Sequence, residues 1–341
     1  MVAAIDRDLV SGKALMAWHE GRGVPWHGLG TMIPEGMDHS DEVIDFAGLN
    51  HTMILRQSYF HGLGGKLTPV QPLRYAVMRD SDGKCVGEVG KSFRILQNRE
   101  AFDGMDSWLQ DGRLHYETAG VLFDGARVFI LARLGDDFLI GGKDPVTPYV
   151  LLLNGHDGTK SLTVKPVTTR VVCANTLAVA LGERTTEIAI RHTKTMHDRL
   201  ANSGQALGLA SKRQAAMAEA FEKLAQAKAT EELAQRVMDI VAPAPTADEG
   251  DIVTARKQAE RLAMWKLLNG NEAERSKSVQ FAGGADTRWG LFSWATEWID
   301  WKEPRKGQDL AEGGSLEKRA MYSAEGFGAG FRQQVFDLLK V

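Results

Sequence analysis

Two residues, Asp124 and Gly125, constrain this chain more than any others. They separate two β-like runs, 116–123 and 126–134, and an Asp-Gly pair in that setting forms a two-residue hairpin turn, whose central positions need positive φ. A second hairpin follows: runs 149–153 and 161–167 flank Asn154-Gly155-His156-Asp157-Gly158-Thr159-Lys160, and residues 170–173 lead through Asn175 into a helix ending near Leu181. Upstream, runs 52–60, 74–79 and 84–89, with Asp80-Ser81-Asp82-Gly83 as turn residues, predict a smaller sheet. Asn98 is positioned to cap a helix reaching Gln110, with Phe102, Met105, Trp108 and Leu109 on one side and Asp111-Gly112 ending it.

Beyond Arg191 the composition shifts to Ala, Gln, Glu, Lys and Leu. Residues 195–238 read as long amphipathic helix, interrupted near Gly204 or Gly208. The stretch 241–250, with Pro243 and Pro245, is a linker, and 253–269 is a further helix with Leu262, Met264, Trp265 and Leu268 as its apolar side. A helix over 289–301 and a last one over 331–339 close the chain; Trp289, Trp294, Trp298 and Trp301 mean tight packing or a partner surface. The fold class expected is α+β: an antiparallel, hairpin-rich sheet packed with helices, plus a helical C-terminal region. Its organisation is read as an N-terminal arm over 1–50, an α+β core over 51–194, amphipathic helices over 195–240, a linker over 241–252 and a Trp-rich helical region over 253–341.

Composition narrows the function. With 341 residues and a net charge of -3, the chain is not basic throughout, so any nucleic-acid surface must be local. Cys85 and Cys173 are far apart and unlike a zinc or redox motif, so reduced thiols are expected. Charged residues Asp6, Arg7, Asp8 and Lys13 are wrong for a signal peptide, and no run reaches the ~18 apolar residues of a membrane span, so the expected location is the cytoplasm of its cell, away from membranes.

No catalytic motif stands out. His156, Asp157, His192 and His197 have the chemistry of a metal or hydrolytic site, but their spacing matches no known site. His156-Asp157 falls in a Gly-flanked turn, where Asp serves backbone hydrogen bonding, and His192 and His197, five apart, do not share a helix face. Cys173 beside a helix start has a route to a lowered pKa, yet within Arg170-Val171-Val172-Cys173-Ala174 it reads better as a buried thiol. Gly28 and Gly30 invite a phosphate-loop reading, but the apolar strand before them and the Lys after them are missing, so this is read as an arm whose Trp26 fills an apolar pocket. No cofactor and no metal is expected.

The charge pattern points elsewhere. From Lys160 to Arg213 the basic residues are Lys160, Lys165, Arg170, Arg184, Arg191, Lys194, Arg199, Lys212 and Arg213, against Glu183, Glu187 and Asp198. Phosphate binding needs such clustering, and Tyr149 and His156 are the nearby rings able to stack on bases. The opposing view is a solvated face whose charges do not converge.

Several separated blocks carry a resemblance: Trp26-His27-Gly28-Leu29-Gly30-Thr31, Gly155-His156-Asp157-Gly158-Thr159, Arg170-Val171-Val172-Cys173-Ala174-Asn175-Thr176-Leu177, Arg191-His192-Thr193, and Thr287-Arg288-Trp289-Gly290-Leu291-Phe292. In this order, across 18–339, the chain resembles the phage/plasmid-like proteins grouped as a domain of unknown function. The resemblance implies a mobile element and, by association, DNA metabolism. It departs from the family's aromatic-Asp-His ending at Trp298-Ile299-Asp300-Trp301. The element order is also similar in outline to phage single-strand annealing proteins, which form rings. The leading expectation is a non-enzymatic, homo-oligomeric protein that binds DNA, single-stranded by preference, through Lys160, Lys165, Arg170, Arg184, Arg191 and Lys194. The alternatives are capture of a host protein by the tryptophan-bearing helices and an enzyme acting on nucleotides or DNA through His27, His156, Asp157 and Cys173.

Overall fold

The computed structural model describes residues 16–19, 31–33, 37, 39–70, 73–109, 114–123, 125–170, 188–201, 205–303 and 328–341. In chain order the elements are β1 (Met16–His19), β2 (Thr31–Ile33), α1 (Ser40–Phe46), β3 (Met53–Gln57), β4 (Tyr59–His61), β5 (Leu67–Pro69), β6 (Arg74–Arg79) and β7 (Cys85–Gly90). Then come α2 (Asn98–Leu109), β8 (Leu114–Leu122), β9 (Arg127–Leu134), β10 (Phe138–Ile140), β11 (Asp144–Gly155), β12 (Leu162–Arg170) and β13 (Ile188–Ile190). The helices that follow are α3 (Met196–Ala201), α4 (Gln205–Gln226), α5 (Glu231–Val241), α6 (Asp251–Asn269), α7 (Lys277–Phe281), α8 (Arg288–Glu297) and α9 (Ala329–Leu339). The fold is α+β, with antiparallel sheets in the N-terminal half and helices in the C-terminal half, as the hydrophobic periodicities predict. Two compact units divide the chain: unit 1 holds Met1–Gly135, Tyr149–Pro166 and Thr186–Ser211, and unit 2 holds Asp136–Pro148, Val167–Thr185 and Lys212–Val341.

The sheet of unit 1 runs β13-β12-β11-β9-β8-β1-β2. Its centre is the β8–β9 hairpin: the two strands pair from Leu122↔Arg127 to Leu114↔Leu134, and Gly125 turns with φ 94, while Asp124 lies outside the described residues. Alternation along β9 buries Val128, Ile130, Ala132 and Leu134, which join Val150 and Leu152 of β11 and Val43, Ile44 and Phe102 from α1 and α2 in one core. Trp18 and His19 fall in the stretch expected to be an N-terminal arm. They lie in β1, which finds backbone partners on both sides, parallel β2 and antiparallel β8. Trp26, His27, Gly28 and Gly30 lie outside the described residues, as do Cys173, Asn175 and Arg184.

A second sheet, β3-β6-β7, carries a small core of Met53, Val77, Val89 and Phe93. The single strand expected over 52–60 breaks at Ser58. Its N–H still donates to Arg74 of β6, but its carbonyl accepts from Val70, so the backbone changes partner and β4 pairs with β5 as a separate ribbon.

Unit 2 is built on a different plan. Its helices enclose a core that includes Phe221, Met238, Met264, Trp289, Phe292, Trp294 and Phe336. Rings of Phe221 and Trp289 lie 4.9 Å apart at the centroids, and Trp265 meets Trp294 edge-on at 6.2 Å. Both buried indole N–H groups are satisfied: Trp289 donates to Asp144 and Trp294 to the Met264 carbonyl, each at 2.7 Å. The Arg332–Asp300 ion pair, 2.7 Å long, is also buried. At Gly290 any Cβ would sit 1.9 Å from the Gly284 carbonyl, so this first turn of α8 tolerates no side chain.

Two helical expectations are corrected here, and a choice between two readings is resolved. A break after Gln226, with Thr230 accepting from Leu233 N–H as the cap of α5, divides the helical stretch expected up to 238; of the two interruptions expected, Gly208 lies inside α4 and Gly204 lies outside the described residues. Leu262 is exposed; of the apolar side expected for α6, Met264 and Leu268 are buried in the core and Trp265 packs against it. Trp289, Trp294 and Trp298 are all buried, which assigns them to packing rather than to a partner surface; the side chain of Trp301 lies outside the described set. Among the described residues no helix is long and apolar enough to cross a membrane.

Candidate nucleic-acid interface

The turn between β11 and β12 is held by its own side chains. Asp157 accepts from Thr159 N–H at 3.0 Å, closing the turn, and pairs with Arg127 of β9 at 2.5 Å. Arg127 also donates to Thr159 Oγ1 at 2.6 Å. Burial works against the Asp157 carboxylate, but the Arg127 and Thr159 hydrogen bonds hold it below its usual range. The turn packs on β7 so closely that a Cβ on Gly87 would lie 2.5 Å from the Asp157 Cα. The carboxylate of this turn is therefore spent inward, and Lys160 follows at its exit, half-buried.

Beneath the turn lies a buried polar network. Asn98 was expected to cap α2. Instead Gln97 precedes the helix, its N–H bonded to the Glu100 carboxylate, and Asn98 points its side chain into the unit. Its amide nitrogen donates to the Leu49 carbonyl at 3.0 Å and to His51 Nε2 at 3.3 Å, while its oxygen accepts from His156 Nε2 at 2.9 Å. Accepting at Nε2 makes the His51 imidazole neutral, whereas His156 donates from Nε2 and its buried Nδ1 has no partner. Burial, then the neighbouring His51 and His192 imidazoles, push His156 down to about 3. His192 stacks on Phe93 at 4.8 Å and donates from Nδ1 to the Arg94 carbonyl at 3.2 Å; burial lowers it too. Among the described residues no group of three or more His, Cys, Asp or Glu could hold a metal ion. His156 and His192 do lie near each other, but they serve as buried, uncharged struts, and His197 is exposed.

The cationic residues are placed as follows. β12 pairs with β13 through Leu162↔Ile190, so residues 160–161 and 191–192 leave the sheet at the same end. Arg191 and Lys194 are exposed there, at the same end as the half-buried Lys160. Lys165 sits further along β12, half-buried and engaged with neighbours, away from that end. Arg170 ends β12 within unit 2 and its side chain lies outside the described set, as does Arg184 altogether. The two expected stacking rings are corrected: His156 is fully buried, and Tyr149 is 7% exposed with its hydroxyl donating to Glu117 at 3.3 Å, so neither offers a face to a base.

Sequence reading missed two cations at the same end. Arg94 N–H donates to the His192 carbonyl at 3.0 Å, reciprocating the His192 bond and tying the 91–94 segment to the residues after β13. Lys91 is exposed, and Arg94 donates from its guanidinium to the Lys91 carbonyl at 3.2 Å. The available signal was the absence of any Asp or Glu from Val89 to Arg99. Lys91, Arg94, Lys160, Arg191 and Lys194 thus gather at one end of the sheet, where the Asp157 carboxylate is paired with Arg127. Such a cluster can bind phosphates by displacing their counterions.

Residues 86–321, more than half of the chain, match the family described as Domain of unknown function (DUF932), and the chain belongs to that family. No curated protein and no solved structure matches the chain.

Proposed function

We propose that this protein binds DNA, single strands in preference to duplex, through the cationic end of the unit 1 sheet, and that it serves recombination or replication on a phage or plasmid. One observation carries the reading: the paired Arg94–His192 hydrogen bonds, one from the Arg94 backbone and one from the His192 ring, and the β12–β13 register collect Lys91, Lys160, Arg191 and Lys194 at one end while Asp157 is turned inward onto Arg127. These cations stand on turns and beside the six-residue α3, not along a protruding recognition helix. That suits a flexible strand, which can follow the turns, better than a duplex groove. The mobile-element setting rests on the separated sequence blocks described above. Several copies on one strand would multiply individually weak contacts. Fluorescence anisotropy of labelled single-stranded and duplex oligonucleotides at two salt concentrations tests this: tighter, salt-sensitive binding of the single strand is expected, and no binding at low salt rejects the reading.

A further inference from the structure

The ribbon β4–β5 departs from the packing of the rest of unit 1. All three residues of β4 are exposed: Tyr59 at 54%, Phe60 at 51% and His61. In its register, Tyr59 lies opposite Pro69 and His61 opposite Leu67 on one face, with Phe60 opposite Thr68 on the other. Leu63 stands at the tip, wholly in solvent, where Gly64 and Gly65 turn with φ 78 and 77. A two-stranded ribbon without a covering layer is marginal in water, and rings on both of its faces gain nothing from this exposure. The charge around them has one sign. From Thr52 to Arg79 there is no Asp or Glu, while Arg56 and Lys66 are exposed on the ribbon and its approach. One carboxylate, Glu88 of β7, reaches the root, where it accepts from Ser58 Oγ at 3.4 Å. The root also adjoins the cationic cluster: Ser58 bonds Arg74, Arg74 pairs with Gly90, and Lys91 follows directly.

From this juxtaposition we infer that the β4–β5 ribbon is a stacking surface for unpaired bases of a DNA strand, with Tyr59 and Phe60 as the contacting rings and Lys66 and Arg56 on the flanking phosphates; this rests on the DNA-binding reading above. Rings on a ribbon stack on any base without reading its edges, which matches sequence-tolerant single-strand binding. With no Asp or Glu from Thr52 to Arg79, a phosphate chain laid along the ribbon meets no like charge from it.

The test compares an oligothymidylate with an abasic oligomer of equal length, bound to wild-type protein and to the Tyr59→Ala/Phe60→Ala variant. Both rings are exposed, so the variant is expected to keep its fold, checked by circular dichroism. Wild type should bind oligothymidylate at least about fivefold tighter than the abasic strand, and the variant should bind both equally with an unchanged salt slope. Equal, salt-sensitive binding of both strands by wild type would overturn the ribbon assignment while leaving the DNA reading intact; no binding of either strand would overturn both. Ring-dependent binding to phosphatidylserine vesicles without base dependence would also overturn it, in favour of a membrane surface.

Discussion

The two units solve the burial of polar atoms differently. In unit 2 the buried indoles are satisfied one at a time, Trp289 by Asp144 and Trp294 by a carbonyl on α6, inside an aromatic core. In unit 1 the buried polar atoms are shared: Asn98 alone joins Leu49, His51 and His156, and His192 ties β13 to the Phe93-Arg94 segment. The difference teaches where function can be placed. Separate bonds around large rings make unit 2 a packing solution, whereas the shared network of unit 1 fixes turns whose outer ends carry cations.

The sharpest break between the units should come from Trp294→Ala. Removing a fully buried indole costs ~3–5 kcal/mol, and it should lower the urea midpoint of unit 2 while leaving nucleic-acid binding by the folded protein unchanged. Asn98→Ala comes next, at ~1–3 kcal/mol for the His156 N–H it leaves without an acceptor; its effect should appear in hydrogen exchange of β11 and α2, not of α8. Equal loss of protection in both units would dissolve the comparison.

Acid should also separate them. His156 is held well below its unfolded value of ~6.5, so the folded state refuses a proton that the unfolded state accepts. The stability this contributes is complete above pH ~6.5 and is lost as pH falls from there toward about 3, by roughly 1.4 kcal/mol per unit. Burial lowers His51 and His192 as well, which steepens the same loss. Unfolding followed between pH 7 and 4.5 should show unit 1 weakening first, and His156→Gln should flatten its profile; an unaltered slope in that variant would remove His156 as the cause.

Much of the fold was legible because it depends on neighbours in sequence. The β8–β9 hairpin, the β6–β7 hairpin and the final helix all declare themselves in short windows. The cationic site was only half legible. Lys160, Arg191 and Lys194 lie in one basic stretch, but Lys91 and Arg94 join them through a bond spanning 98 residues, which no local pattern encodes. Asn98 looked like a cap because capping is what Asn commonly does at a helix start; its partners His51 and His156 are 47 and 58 residues away. Helix α8 gave no amphipathic signal because it is buried on every side from Trp289 to Glu297, leaving its tryptophans open to two readings until the packing resolved them.

The smallest expected change in stability accompanies the largest expected change in binding. Replacing Lys160, Arg191 and Lys194 together by Ala alters surface positions, within about 0.5 kcal/mol each, yet removes three candidate phosphate contacts. The decisive measurement is the slope of log affinity against log salt for a labelled single strand. The account predicts that the triple variant binds more weakly with a slope shallower by roughly two, since each phosphate contact contributes about 0.7; an unchanged affinity and slope would contradict it.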